Sequence, residues 1–218
     1  MLDEKMGDIK RELIEFSGLV QRMIEQSVQG LLGRQKQMLL DVIEKEEPKA
    51  NDWEIALDEL CTNTIAQFTP RAKDLRTILM TLRVNNDLER MGDHAVNIAE
   101  DALYLIERSP VKQLIDIPRM AEEATSMVRD SLLSFLHEDG VLARSVCERD
   151  NIVDGLEEQV LRELITYMTS DSATIERGLH LLNIARNLER IADLSTNIGE
   201  DVIFVAEGRV IKHHRDER

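Results

Sequence analysis

Apolar residues recur at steps of three and four along most of this chain. Ile9, Leu13, Phe16, Val20, Met23, Ile24, Val28 and Leu31 form one such stripe. It predicts a helix over residues 6–32, closed by Gly33. Leu39, Leu40, Val42 and Ile43 extend the pattern briefly, and Pro48 then stands where the first turn of a new helix tolerates it. Trp53, Leu57, Leu60, Cys61, Ile65 and Phe68 carry that helix to residue 68. Thr69-Pro70 reads as an N-cap followed by Pro at the first helical position. A long helix is expected from there to Arg108, about 57 Å at the usual rise per residue.

The second half repeats this plan. Residues 109–118 hold two prolines and no sustained helical period, which predicts a linker over 110–117. A helix over 118–137 follows, then Asp139-Gly140, a short helical piece through Val146 and a helix from Asn151 to Met168. Ser170-Asp171-Ser172 supplies caps for a last long helix reaching Glu207. The expected fold is all-α: six main helices in two tandem three-helix bundles, residues 1–109 and 118–211, with antiparallel neighbours packed in coiled-coil fashion. The basic residues 212–218 read as a tail. Equivalent positions differ by 103 near residue 50 and by 100 near residue 90, so the second half is shorter in the turn between.

Duplication shows most sharply in two stretches. Leu88-Glu89-Arg90-Met91-Gly92-Asp93-His94-Ala95-Val96-Asn97-Ile98-Ala99-Glu100-Asp101 recurs as Leu188-Glu189-Arg190-Ile191-Ala192-Asp193-Leu194-Ser195-Thr196-Asn197-Ile198-Gly199-Glu200-Asp201, identical at eight of fourteen positions. A repeat kept only for packing would hold its apolar residues and let surface acids drift. Here the acids stayed.

Composition supports the helical reading. Aromatic residues make up only 3% of the chain, so the side chains that enrich strands are scarce, and strong helix formers dominate. The net charge of −15 repels phosphate backbones and anionic lipid, which argues against nucleic-acid partners and suits a metal cation or a basic protein surface. Cys61 and Cys147 lie in separate apolar-periodic segments without zinc spacing, as expected of reduced thiols in the cytoplasm. No signal peptide is expected from the opening residues, and no apolar run is long enough to span a membrane.

Glu89, Asp93, Asn97 and Asp101 stand at four-residue steps, as do Glu189, Asp193, Asn197 and Asp201. Neighbours in such a row share a helix face, displaced by about 40° per step. Over twelve residues the row climbs about 18 Å and swings about 120°, too far for one ion. The geometry suits a stripe of oxygen ligands shared among ions, completed by a neighbouring helix. Asp150 and Asp154 supply such a pair in the second half, and Glu47 with Asn51 is the poorer counterpart in the first. In a chain with 42 acids, pairs four apart arise by chance, and their usual meaning is a solvated face or an acidic network around Arg90 and Arg190. Recurrence of the whole row, Asn included, favours divalent or trivalent metal. Oxygen ligands point to hard or borderline ions such as Mg, Mn, Ca or Fe, with Zn also open.

Other chemistry is poorly represented. His94 has Leu194 as its counterpart, His137 and His180 have no matching partner, and no Glu-x-x-His occurs. Phosphate-binding glycine loops, Gly-x-Ser-x-Gly and Cys-x-x-Cys are missing too, so no enzyme is expected.

Pro70-x-x-Lys73-Asp74-Leu75-Arg76, Asn86-Asp87-Leu88-Glu89-Arg90-Met91-Gly92-Asp93 with Asn97-Ile98, Asp150-x-x-x-Asp154, Tyr167-Met168, and Arg186-Asn187-Leu188-Glu189-Arg190-Ile191-Ala192-Asp193 with Asn197-Ile198 together resemble the PhoU family. The resemblance spans essentially the whole chain. It implies two three-helix bundles, a homodimer, and multinuclear centres of iron or another metal on the repeated acidic motifs. It also implies a cytoplasmic negative regulator of the phosphate-starvation response, acting between the Pst phosphate transporter with its ATPase and the PhoR sensor kinase. Carried over, the metal motif falls on Glu89, Asp93, Glu189, Asp193, Asp150 and Asp154, with Asn97, Asp101, Asn197 and Asp201 extending the rows. The chain departs from the pattern at Glu47/Asn51, and Ala192 stands where the family more often has Gly. Two other classes compete: a helical scaffold without metal, and a carboxylate-bridged metal enzyme.

Overall fold

The computed structural model describes residues 2–207, and the tail expected over 212–218 lies outside them. Among the described residues every regular element is helical: α1 (Leu2–Gly33), α2 (Lys36–Asp41), α3 (Glu47–Phe68), α4 (Lys73–Ile106), α5 (Asp116–His137), α6 (Gly140–Ser170) and α7 (Ile175–Glu207). A π turn over Val42–Glu46 joins α2 to α3 without a break, so each half contributes three helical rods. α1, α2–α3 and α4 pack together, as do α5, α6 and α7. Across the halves α4 lies against α7 and α1 against α5, while α3 and α6 touch only helices of their own half. Two long helices from each half thus form the middle of the molecule, and a single apolar core runs through both.

The duplicated stretches explain that placement. Leu88, Met91, Ala95 and Ile98 are buried on α4, and Leu188, Ile191 and Ile198 on α7. Ser195 takes the place of Ala95 and satisfies its hydroxyl by donating to the Ile191 carbonyl at 2.9 Å. α1 and α5 end alike. Arg34 and Glu138 adopt left-handed φ of 51° and 54°, and the next amides, Gln35 and Asp139, donate back to Gly30 and Ser134 at 2.8 and 2.9 Å. These bonds satisfy carbonyls that a helix end leaves open, and they recur 104 residues apart.

The same offset relates buried Leu39 and Val42 to Ala143 and Val146. From Ala50, Leu57 and Cys61 to Val153, Val160 and Leu164 the offset is 103. One extra residue therefore lies between Val42 and Ala50, and the π turn is where the chain accommodates it. At the latter offset Glu47 is equivalent to Asp150 and Asn51 to Asp154.

Two local expectations are corrected. Thr69-Pro70 does not open α4. Thr69 closes α3 at a left-handed φ of 44°, with its amide on the Ile65 carbonyl, and α4 begins at Lys73 after Ala72, at φ 47°. Pro70 disfavours right-handed helix at the residue before it, and the chain turns there instead. The break expected between Val146 and Asn151 is also missing, because α6 is continuous from Gly140 to Ser170. Asp139 caps its start by accepting from Val141 and Leu142, and Arg149 reaches Glu123 and Asp130 on α5 at 2.8 Å each. Those cross-helix ion pairs carry the polar stretch that offers few apolar positions of its own.

Candidate metal centre

The four-step acidic rows split. Glu189 faces α6, where Asp154 and Glu157 lie within electrostatic reach of it, and Asp193 stands one turn along beside it. The open groove there is lined by Asn151, Asp154, Glu157, Glu158, Glu189 and the arginines Arg186 and Arg190. Glu89 faces α3, with Glu54 within electrostatic reach and Asp93 beside it on α4. Asn97, Asp101, Asn197 and Asp201 have swung to the seam between α4 and α7. Arg83 of α4 reaches Asp201 at 3.1 Å, and His180 of α7 reaches Asp101 at 2.5 Å. Asn187 Oδ1 lies 2.8 Å from His94 Nδ1 and receives the Asn97 amide at 3.4 Å. The cause is the accumulated drift of about 40° per helical step, which carries the third and fourth members onto the next face.

Electrostatics set the first two members apart. Burial pushes the Glu189 carboxyl up to about 7, and the charges of Asp193, Asp154 and Glu157 add to it while Arg190 opposes. Glu89 is raised for the same reasons, burial first and then Asp93 and Glu54, with Arg90 opposing. The arginines stand only at the rim: Arg190 is 3.8 Å from Glu189 and 3.7 Å from Asp193, with most of its side chain in solvent. Arg186, exposed like Arg190, reaches Glu157 at 3.9 Å. At the seam, burial raises Asp87 to about 6, with Asp201 adding and Arg90 and Arg83 opposing.

Asp150 lies one turn before Asp154 and close enough to Cys147 for its charge to raise that thiol, after burial, toward about 11. Glu47 sits half-buried in the first turn of α3. Among the described residues no three His, Cys, Asp or Glu side chains already converge on one ion position. The donors are hard oxygens brought face to face across each helix pair without being gathered on a point. Glu54 and Glu157 are the site-facing acids that sequence reasoning missed. Their signal was available, since the two stand 103 residues apart, at the offset of the other equivalent positions on α3 and α6.

Gly92 lies between the two halves of the first acid pair and packs toward α1 and α3. A Cβ there would meet Met23 Cε at 3.7 Å and Ala50 Cβ at 3.9 Å, ordinary contacts. Ala192 holds the equivalent place. Gly92→Ala is therefore expected to raise stability by about 0.5–1 kcal/mol through helix propensity alone, read as a higher denaturation midpoint with unchanged slope. Gly199 differs, because a Cβ would come within 3.1 Å of the Ala143 carbonyl oxygen and 3.2 Å of Cys147 Sγ. There α7 packs its backbone closely on α6.

Comparison with known proteins agrees with this architecture. The PhoU domain family model matches twice, over residues 13–102 and 117–202. A phosphate-specific transport system accessory protein PhoU homolog of Aquifex aeolicus is 38% identical over 212 residues, covering 97% of this chain and 96% of that one. A second such homolog, from Thermotoga maritima, is 32% identical and covers 100% of this chain and 92% of its own. The crystal structure of PhoU from Pseudomonas aeruginosa superposes with a TM-score of 0.91 at 32% identity, covering 96% of this chain and 100% of that one. That of the phosphate transport system regulatory protein PhoU from Streptococcus pneumoniae gives 0.87 at 25% identity, with 96% and 99% covered. These relatives are named accessory or regulatory proteins, in keeping with a chain that is not an enzyme. No helix among the described residues is long and apolar enough to cross a membrane. Matched twice by its domain model and along nearly its full length by its relatives, this chain belongs to the PhoU family.

Proposed function

We propose that this chain is a cytoplasmic, metal-binding regulatory adaptor of phosphate uptake. In this reading it is a homodimer and a negative regulator of the phosphate-starvation response, standing between the Pst transporter ATPase and a PhoR-type sensor kinase. The observation that carries the metal part is the facing of Glu189 by Asp154 and Glu157 across α6 and α7, with Asp193 beside it on α7 and Glu189 raised to about 7. Carboxylates crowded in this way repel one another until a cation joins them. Glu189, Asp193 and Asp154 would hold a hard cation, and Glu89, Asp93 and Glu54 its counterpart in the first half. Asp150 lies one turn before Asp154, and Glu47 two turns before Glu54. A bound ion supplies positive charge that ties an outer helix to a central one. The helical surfaces then bias the transporter and kinase by binding one of their states better than the other.

Elemental analysis of the purified protein tests the metal part, with iron expected first on family grounds. Glu189→Ala with Asp193→Ala is expected to remove metal from the second half, and Glu89→Ala with Asp93→Ala from the first. Protein that neither carries metal nor binds it on addition of iron, manganese or zinc would sink that part. The regulatory part is read separately. In a strain lacking the chain, a phosphate-starvation reporter is expected to fire in rich phosphate. A reporter that stays silent there overturns the assignment.

A further inference from the structure

A second kind of site lies at the opposite pole of charge. At one end of the central layer, α1, α4, α5 and α7 enclose a pocket with about 120 Å³ of open space. Its floor is Met80, Phe135 and Val202, and its wall carries Lys10, Lys73 and Arg76. In a chain with 42 acids and 27 lysines and arginines, a cavity lined by three cations and one acid runs against the composition. The acid, Glu138, pairs with Lys73 at 2.7 Å. Lys10 and Arg76 make no ion pair with another described residue, so the pocket keeps two uncompensated positive charges. α4 also begins at Lys73 without a side-chain cap, which aims its first amides at the same end.

The internal repeat provides a control. The related pocket at the other end is built from the corresponding helices, and it too carries two cations, Arg34 and Lys112. Both are consumed by the chain itself. Arg34 donates to the carbonyls of Ile106 and Arg108, and Lys112 is buried against Glu163 and Asp116. The positions equivalent to Lys10 and Arg76 are Leu114 and Glu176, so packing alone does not ask for cations there. From this difference we infer that the Lys10–Lys73–Arg76 pocket binds a phosphate dianion, free or as the monoester end of a small molecule. Two net charges and a water-poor floor suit a dianion better than a monocarboxylate.

Isothermal titration of the full chain, freed of metal by chelation, tests this with inorganic phosphate, adenosine monophosphate and acetate as separate ligands. Saturable binding of phosphate or the monoester, and not of acetate, is expected. Arg76→Ala and Lys10→Ala are each expected to weaken it by about tenfold, the effect of losing one charge-assisted hydrogen bond, while Lys49→Ala on α3 leaves it unchanged. Both residues are exposed, so the variants should fold, and circular dichroism checks that they do. Tighter binding of the monoester identifies an organic source, and tighter binding of phosphate the free ion. If neither ligand saturates, or if the variants bind as the parent does, the site is overturned. Because the protein is metal-free in this experiment, that failure leaves the acidic centres of α6 and α7 untouched.

Discussion

Replacing Phe16 by alanine is expected to cost about 3–5 kcal/mol of unfolding free energy, the range for removing a buried aromatic side chain. Phe16 has no exposed surface and lies stacked on Trp53, with ring centroids 6.5 Å apart and planes 5° from parallel. Trp53 cannot readily follow it into the gap, because its indole N–H is held by Glu12 at 3.2 Å. Transfer and cavity terms therefore add in full. α1 also packs on α5, so the damage should reach both halves. Urea denaturation is expected to show one earlier transition, with a drop in Tm on the order of 10 °C. Ile14, half-exposed on the same helix, serves as the contrast, and Ile14→Ala is expected to change stability by less than about 0.5 kcal/mol. A loss below about 1 kcal/mol for Phe16→Ala would show that this part of the core is loosely packed.

Glu189→Gln should act in the opposite direction. In the folded chain the Glu189 carboxyl is raised to about 7 from an ordinary value of 4.5. Between those limits the folded state holds a proton that the unfolded state has released. Metal-free protein therefore loses stability as pH rises through that window, and the loss is complete above it. Glutamine keeps the neutral shape and removes the penalty. At about pH 8 the variant is expected to be more stable than the parent by about 2 kcal/mol, allowing for solvent screening of a side chain that is not fully buried. Near pH 4 the two should coincide. Adding metal should reverse the order, since the parent gains a ligand-linked increment that the variant forfeits. A parent whose stability is flat across the window would show that the groove relaxes enough to hydrate the ionised carboxylate.

Much of the fold was legible because the apolar stripe reports helices directly. The ends at Phe68 and His137 follow from where the stripe stops. Turn chemistry was harder to read. Threonine at a left-handed φ has no local preference to announce it, and Thr69 is held there by the following proline and the packing of α3 on α4. α6 looked broken because residues 147–151 carry little apolar signal, and it is bridged by ion pairs that only the tertiary structure supplies. The site divided in a similar way. Glu89 with Asp93, and Glu189 with Asp193, kept together because one helical step separates them. Asn97, Asp101, Asn197 and Asp201 parted from them, and their partners Arg83, Asn187 and His180 lie some 80 to 120 residues away in sequence. No local spacing encodes such pairs.

The π turn at Val42–Glu46 bears on how the two copies diverged. An added residue in an ordinary helix rotates everything beyond it by about 100°, which would carry Leu39 and Val42 out of the core or Ala50 and Leu57 into solvent. Confining the addition to one wide turn resets the phase, so both buried faces survive. Length and packing are thereby uncoupled in the outer helix of the first half. Glu47 and Asn51 stand in that copy where Asp150 and Asp154 stand in the second, and the chain carries two bundles of one architecture with unequal chemical equipment.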